Sequence, residues 1–262
     1  MLREMNEIIA ALILAVVQGI TEWIPVSSSG HLVLFEKMLG YQGGLTFEVA
    51  LHFGTLMAVF VYFGKDIVDI IKDVIRLDFK TENGRTGLFL IIATIPVGII
   101  GFLFIDVFER AFNNLYLAAL GFGVTGLLLL ISTLDLDKSK DKLSAKDSLI
   151  IGIVQIFSIL PGISRSGSTM STGMLLGLSP KASARFSFLL SIPVIFGANI
   201  LAIGNERLPP SLIWASLVSF IVGLGVMHWM FKSVLTSKKN LRWFGAYALL
   251  LAAGVFVYLF FF

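Results

Sequence analysis

Two short stretches hold most of the chemistry this chain can do. In the first, Gln18, Glu22, Ser27, Ser28, Ser29 and His31 fall within fourteen residues. Gln18 and Glu22 are four apart and share one helix face, and Ser28 and His31, three apart, share a face of the helix that follows. The second stretch is Ser164-Arg165-Ser166-Gly167-Ser168-Thr169. A guanidinium among hydroxyls at a helix start is an anion site, because free backbone N–H groups and the helix dipole add to the arginine fork. A carboxylate, a hydroxyl and an imidazole facing such a site suit phosphoryl transfer. Arg165 stabilises charge on the phosphoryl oxygens, Ser28 is a candidate to attack, with His31 or an activated water as the alternatives, and His31 or Glu22 takes or delivers the proton. The competing structural readings are that Glu22 bridges a tight turn, that the serines satisfy loose backbone, and that Arg165 reaches a lipid headgroup.

The elements that carry these residues follow from composition. Of 262 residues, 56% are apolar and only 14% charged, and mean hydropathy is +0.90. Soluble domains carry about 25% charged residues, so an ordinary cytosolic enzyme is excluded and a polytopic membrane protein remains. There is no cysteine, which excludes disulfides, thiolate metal sites and thiol catalysis. The net charge of +3 implies no nucleic-acid partner, because Lys and Arg of membrane proteins collect in cytoplasmic loops. No polar stretch is long enough for a soluble appendage, so residues 1–262 read as a single membrane domain. The N-terminal stretch does not read as a signal peptide.

Six segments are long and apolar enough to span: 46–63, 87–107, 115–134, 183–203, 211–231 and 241–262. Two further apolar regions, 8–39 and 148–176, are interrupted at Pro25 and Pro161 and by the Ser/Gly runs that follow. Each predicts a helix, a tight break and a half-length helix. Residues 28–39 would reach only about 18 Å, roughly half a hydrocarbon core, so both regions predict re-entrant hairpins. They match at a constant offset of 137: Gln18 with Gln155, Ser27 with Ser164, Ser29 with Ser166, Gly30 with Gly167, and Gly40 with Gly177. Three spans separate the hairpins, so the second enters from the opposite face. The expected fold is an all-α, inverted-topology repeat of six transmembrane helices plus two re-entrant broken-helix hairpins, with repeats of about 8–134 and 147–262 and a site where the breaks meet. The basic loops 64–86, 135–147 (with Lys138) and 232–240 alternate with 108–114 and 204–210, which hold only Arg110 and Arg207. This puts the basic loops in the cytoplasm, and both termini and the mouth of the first hairpin outside.

The residues now carry a specific resemblance. Gln18-Gly-Ile-Thr-Glu22-Trp-Ile-Pro-Val-Ser-Ser-Ser-Gly-His31 resembles the first signature of the undecaprenyl-diphosphate phosphatase family, and Pro161-Gly-Ile-Ser-Arg165-Ser-Gly-Ser-Thr169 is similar to its second. Thr46-Phe-Glu48 and Ala184-Arg-Phe-Ser-Phe-Leu-Leu190 extend the match, which in length and span pattern covers essentially the whole chain. The resemblance implies hydrolysis of a polyprenyl diphosphate to the monophosphate, recycling the lipid carrier of cell-wall glycans in the cell membrane. It also implies a divalent cation, Mg²⁺ or Ca²⁺. Carried over, Glu22 is the essential acid, Ser28 the candidate nucleophile, His31 its proton partner and Arg165 the phosphate ligand. Ser27, Ser29, Gly30, Ser164, Ser166, Gly167 and Thr169 complete the substrate site, and Gln18 and Glu22 hold the metal. Gln18 stands where the family pattern also allows Glu, so a single carboxylate and the diphosphate carry most of the cation's charge there. A homodimer is left open.

Other features are weaker. Glu48 and Arg185 also differ by 137 and are candidates to pair across the pseudo-two-fold axis. His52 reads as a satisfied core histidine and His228 as interfacial. Pro96 and Pro193 read as kinks, and Ser179-Pro180 as a helix start. The alternative function is a transporter or flippase for a phosphate-bearing lipid or solute, since inverted repeats with broken helices are also a transporter architecture. A carrier needs the anion site but no nucleophile beside it.

Overall fold

The computed structural model describes residues 2–41, 43–112, 114–134, 140, 142–203 and 211–261. Lys138 and Arg207 lie outside the described residues. The described chain is helical, with no strand among these residues. Helix α1 is Leu2–Thr21, α2 Ser28–Leu39, α3 Gly44–Tyr62, α4 Gly64–Ile75, α5 Glu82–Leu103, α6 Ile105–Phe112 and α7 Leu115–Ser132. Then follow α8 Ala145–Ile156, α9 Arg165–Leu175, α10 Pro180–Ile203, α11 Ser211–Trp229 and α12 Leu241–Phe261. Five helices are long and apolar enough to cross a membrane, and the bent pair α3–α4 makes a sixth if it counts as one span. Along α5, Ile91, Ile95 and Ile99 recur one turn apart and are about half exposed. A soluble protein does not present such a stripe to water, and the chain is a multi-pass membrane protein.

Both interrupted regions break where the sequence predicts. Helices α1 and α2 pack against each other across a break at 22–27, and α8 and α9 do so across a break at 157–164. Each second helix opens on a serine cap: Gly30 N–H donates to Ser27 Oγ at 3.3 Å, and Gly167 N–H donates to Ser164 Oγ at 2.9 Å. Each ends on a glycine in the left-handed region, Gly40 at φ 61° and Gly177 at φ 104°. Ser179 caps α10 by accepting from Ala182 N–H at 3.2 Å, with Pro180 as the first helical residue.

The structure corrects three expectations. The segment 64–86 is mostly not a loop: after Phe63 the chain bends by 83° into α4. Its Ile67 and Ile70 are buried, with Val74 packed on the same core under α5. The charges of α4 sit on its other face, so a count of basic residues hid an amphipathic helix. Helix α5 begins five residues before the expected span, because Thr81 caps it by accepting from Gly84 N–H at 2.9 Å. Glu48 and Arg185 do not pair: Arg185 Nε donates to Asp66 Oδ2 at 2.8 Å. Arg185 lies near the start of α10 and Asp66 just past the end of α3, whereas Glu48 lies near the start of α3, at that helix's far end. Helices α5 and α10 continue through Pro96 and Pro193.

The packing that matters for the site is arranged in matching pairs. Helix α1 lies on α11 as α8 lies on α5, and α7 pairs with α12. Trp23, Phe188, Met170, Met174, Met227 and Met230 form part of the largest apolar core, directly against the first break.

Candidate active site

Backbone contact between the two breaks builds the site. A Cβ on Gly30 would come within 2.9 Å of Gly162 Cα, and one on Gly167 within 3.1 Å of the Pro25 carbonyl oxygen. Gly30 and Gly167 are equivalent in the 137-residue repeat, as are Pro25 and Gly162. The contact is therefore reciprocal, as at a two-fold axis. Gly162 is held from the side as well. It has φ 84°, its carbonyl accepts from Thr125 Oγ1 at 2.9 Å, and Thr125 Oγ1 accepts from Ser164 N–H at 2.9 Å. A Cβ there would lie 2.0 Å from the Ala118 carbonyl oxygen, so α7 fits the second elbow only because this residue is glycine.

Glu22 joins the elbows. One carboxylate oxygen, Oε1, pairs with Arg165 Nη2, and the other, Oε2, accepts from Ser28 Oγ at 2.6 Å and Gln18 Nε2 at 3.0 Å. Glu22 is 6% exposed and the Arg165 side chain 12%. A charge so buried is tolerated only when paired and hydrogen-bonded. Arg165 is further fixed by Nη1 donating to the Ser187 carbonyl at 3.1 Å and by the Trp23 ring 5.8 Å from its guanidinium carbon. The serine hydroxyl and the guanidinium thus hold the two oxygens of one carboxylate, close enough for a single phosphate to bridge them. The arrangement sets a hydroxyl on a carboxylate, with a guanidinium within reach of the same anion.

A cavity of about 280 Å³ opens over this cluster. Glu22, Ser27, Ser28, Ser29, Ser164, Arg165 and Ser166 line it together with the apolar side chains of Val49, Val97, Ile159, Val194, Ile195 and Ala198. Gly30, Gly167 and Thr169 are part of the scaffold rather than the lining. Thr169 Oγ1 donates to the Arg165 carbonyl at 2.7 Å and lies 2.7 Å from Ser187 Oγ.

His31 differs from its expected placement. It lies outside the cavity lining, with Nδ1 2.7 Å from the Ser27 carbonyl oxygen and Nε2 2.8 Å from the Tyr247 hydroxyl. A buried imidazole needs a partner at each nitrogen; both are occupied here by groups other than the Ser28 hydroxyl, which donates to Glu22, so the structure does not pair His31 with Ser28. The imidazole beside Glu22 is His52 instead: Nε2 is 3.7 Å from Glu22 Oε2, and Nδ1 is 2.9 Å from the Glu48 carbonyl. His52 and Glu48 both line the cavity. The spacing of Glu48 and His52 by one helical turn was the sequence signal for them, but spacing alone does not tell a cavity face from a packed one.

The donors also bear on a divalent cation. Gln18 is fully buried, and its Oε1 has no hydrogen-bond partner although Nε2 is bound to Glu22. An orphaned carbonyl oxygen next to a carboxylate is a pair of hard donors of the kind Mg²⁺ and Ca²⁺ take. No cluster of three or more metal-ligating side chains occurs among the described residues. Of the two donors, Glu22 lines the cavity and Gln18 does not, so Glu22 is the one that borders the space where substrate and water would complete a cation's shell.

The whole chain has close counterparts. An undecaprenyl-diphosphatase of Thermosipho melanesiensis is 40% identical over 94% of this chain and 97% of its own length. Proteins of the same name from Caldicellulosiruptor bescii and Mycobacterium ulcerans are 37% and 34% identical, over 95% and 94% of this chain and 96% and 94% of their own lengths. The family model described as bacitracin resistance protein BacA matches residues 11–254, spanning both elbows, and the chain belongs to that family.

Proposed function

We infer that this protein is an integral-membrane phosphatase that hydrolyses undecaprenyl diphosphate to the monophosphate and inorganic phosphate, returning the lipid carrier to cell-wall glycan synthesis. The observation that carries the reading is the shared carboxylate: Glu22 holds Ser28 Oγ on one oxygen and Arg165 on the other, in a cavity lined by both polar and apolar side chains. Arg165 binds the terminal phosphoryl oxygens and keeps their charge stabilised as the bond to the leaving group lengthens. Ser28 Oγ attacks the terminal phosphorus while its proton passes to Glu22. The anhydride P–O bond breaks and the lipid monophosphate leaves with the electron pair. Water then attacks the phosphoserine, giving inorganic phosphate and restoring Ser28. Gln18 and Glu22 would hold Mg²⁺ or Ca²⁺, which when bound neutralises part of the diphosphate charge.

The apolar side chains of the lining suit the first isoprene units of the lipid, which cannot be desolvated in a wet cleft. We read the six spans as an inverted repeat with two re-entrant hairpins. The reciprocal Gly30–Gly162 and Gly167–Pro25 approaches and the matching α1–α11 and α8–α5 packing support it. The basic segments then face the cytoplasm and the cavity opens to the outer face. One chain supplies both elbows, so the reading needs no second copy. The nucleophile beside the clamp favours an enzyme over a carrier. The test is phosphate release from purified protein given undecaprenyl diphosphate, with and without chelator. Release that stops with chelator and returns with Mg²⁺ or Ca²⁺ is expected. Tight substrate binding without phosphate release would favour the carrier.

A further inference from the structure

The cavity lining includes a buried amide that nothing in the fold accounts for. Asn199, on α10, lines the cavity beside Val194, Ile195 and Ala198 and is only 5% exposed. Its Nδ2 is buried with no hydrogen-bond partner. Buried amide donors are almost always satisfied, and an unsatisfied one in a ligand cavity marks a place where the ligand supplies the acceptor. The carboxamide can also turn over, so either of its ends can face the cavity.

The chemistry of the ligand narrows the acceptor. Given the phosphatase reading, on which this inference rests, the lipid tail is a hydrocarbon with no acceptor at all. The terminal phosphoryl group is spoken for by Arg165 and Ser28. What remains is the inner phosphoryl group and the ester oxygen that joins it to the lipid. Asn199 lies more than three helical turns along α10 from Ser187, whose carbonyl fixes Arg165. Arg165 and Asn199 line the same cavity, so a diphosphate held at its terminal end by the guanidinium and extended toward Asn199 would bring its inner phosphoryl group to the amide.

We propose that Asn199 is a specificity-determining residue that donates a hydrogen bond to the inner phosphoryl group of the lipid diphosphate. It sets the register of the substrate so that only the terminal phosphoryl group reaches Ser28. A lipid monophosphate cannot satisfy Asn199 and Arg165 together, so the product is a poor substrate and the reaction stops after one phosphate.

The test compares wild type, Asn199→Leu and the isosteric Asn199→Asp in detergent, with undecaprenyl diphosphate and undecaprenyl monophosphate as substrates and thermal unfolding without substrate as the structural control. A hydrogen bond to a charged group is worth about a 10- to 100-fold change in affinity. Asn199→Leu is expected to raise KM for the diphosphate by that amount, to change kcat much less, and to narrow the preference for diphosphate over monophosphate. Its unfolding temperature should equal or exceed that of wild type, because the exchange removes an unpaired buried donor. Asn199→Asp should raise KM further, through repulsion of the inner phosphate, with the shape of the side chain retained. An unchanged KM in both variants overturns the inference, and so does an Asn199→Leu protein that unfolds earlier or fails to fold, which would make the amide structural. Wild-type protein that releases no phosphate at all would instead overturn the phosphatase reading itself.

Discussion

The two elbows have almost the same hydrogen bonding and present opposite chemistry. In each, a serine caps the half-helix and its hydroxyl sits beside the next-but-one serine, at 3.3 Å for Ser27 and Ser29 and 3.2 Å for Ser164 and Ser166. In each, the equivalent glycine presses on the other elbow. Between cap and glycine the pattern diverges: the first helical residue is Ser28 in one and Arg165 in the other. Glu22 has Ile159 as its counterpart at the same offset. The backbones differ at one point. Ser27 has φ 72°, in the left-handed region, while Ser164 has φ −68°. A non-glycine residue held there costs about 1–3 kcal/mol and persists where the surroundings require it. The repeat thus supplies two equivalent helix starts, and the chemistry comes from breaking their equivalence. In the proposed reaction the first elbow carries the attacking group and its base and the second the clamp, and the Glu22 carboxylate contacts both Ser28 and Arg165.

Removing the asymmetry should have the largest effect. Arg165→Ala and Glu22→Ala are each expected to lower turnover at least about 10²-fold, the loss typical of a preorganised group at developing charge. Glu22→Ala should also destabilise the protein by about 3–5 kcal/mol, because Arg165 is left buried without its partner. Arg165→Lys should restore activity only in part, since an ammonium lacks the fork that spans two oxygens. Kinetics with undecaprenyl diphosphate and denaturation in detergent check both.

A smaller effect separates the histidines. His31 is bound to Ser27 and Tyr247 and lies outside the cavity lining. His31→Gln should therefore act mainly on stability, with kcat falling less than in Arg165→Ala. If it abolished turnover while the fold held, the contact with Tyr247 would not describe the working site. Gly162→Ala should cost about 1–3 kcal/mol of stability, from an overpacked contact with α7 and an unsuited backbone angle. The smallest contrast lies at the caps. Ser27→Gly loses a cap but relieves the left-handed backbone, whereas Ser164→Gly loses a cap and gains nothing. Unfolding should show Ser27→Gly at least as stable as wild type and Ser164→Gly less stable by roughly 0.5 kcal/mol.

Much of this was legible in the sequence, for physical reasons. Proline and serine runs inside apolar stretches leave few alternatives to a broken helix, so both breaks and their caps were found. The 137-residue offset then brought Ser28 and Arg165 together before any coordinates. Features that depend on which way a side chain leans were not legible. His31 and Ser28 share a helix side by spacing, yet His31 turns to Tyr247 because a buried imidazole must satisfy both nitrogens. His52 and Asn199 are polar residues within apolar spans, and only packing shows that they border a cavity. Helix α4 was hidden because Lys65, Lys72 and Arg76 made it read as a connecting loop.

In the proposed reaction the first elbow attacks the phosphorus that the second elbow holds. The most direct test is rapid acid quench of the wild-type enzyme with undecaprenyl diphosphate labelled in the terminal phosphate, followed by peptide mass spectrometry. The account predicts labelled phosphate on Ser28 during turnover, and no labelled peptide and almost no activity in Ser28→Ala. A Ser28→Ala enzyme that binds substrate normally and keeps more than about a tenth of wild-type turnover would contradict it, because loss of a covalent nucleophile costs far more.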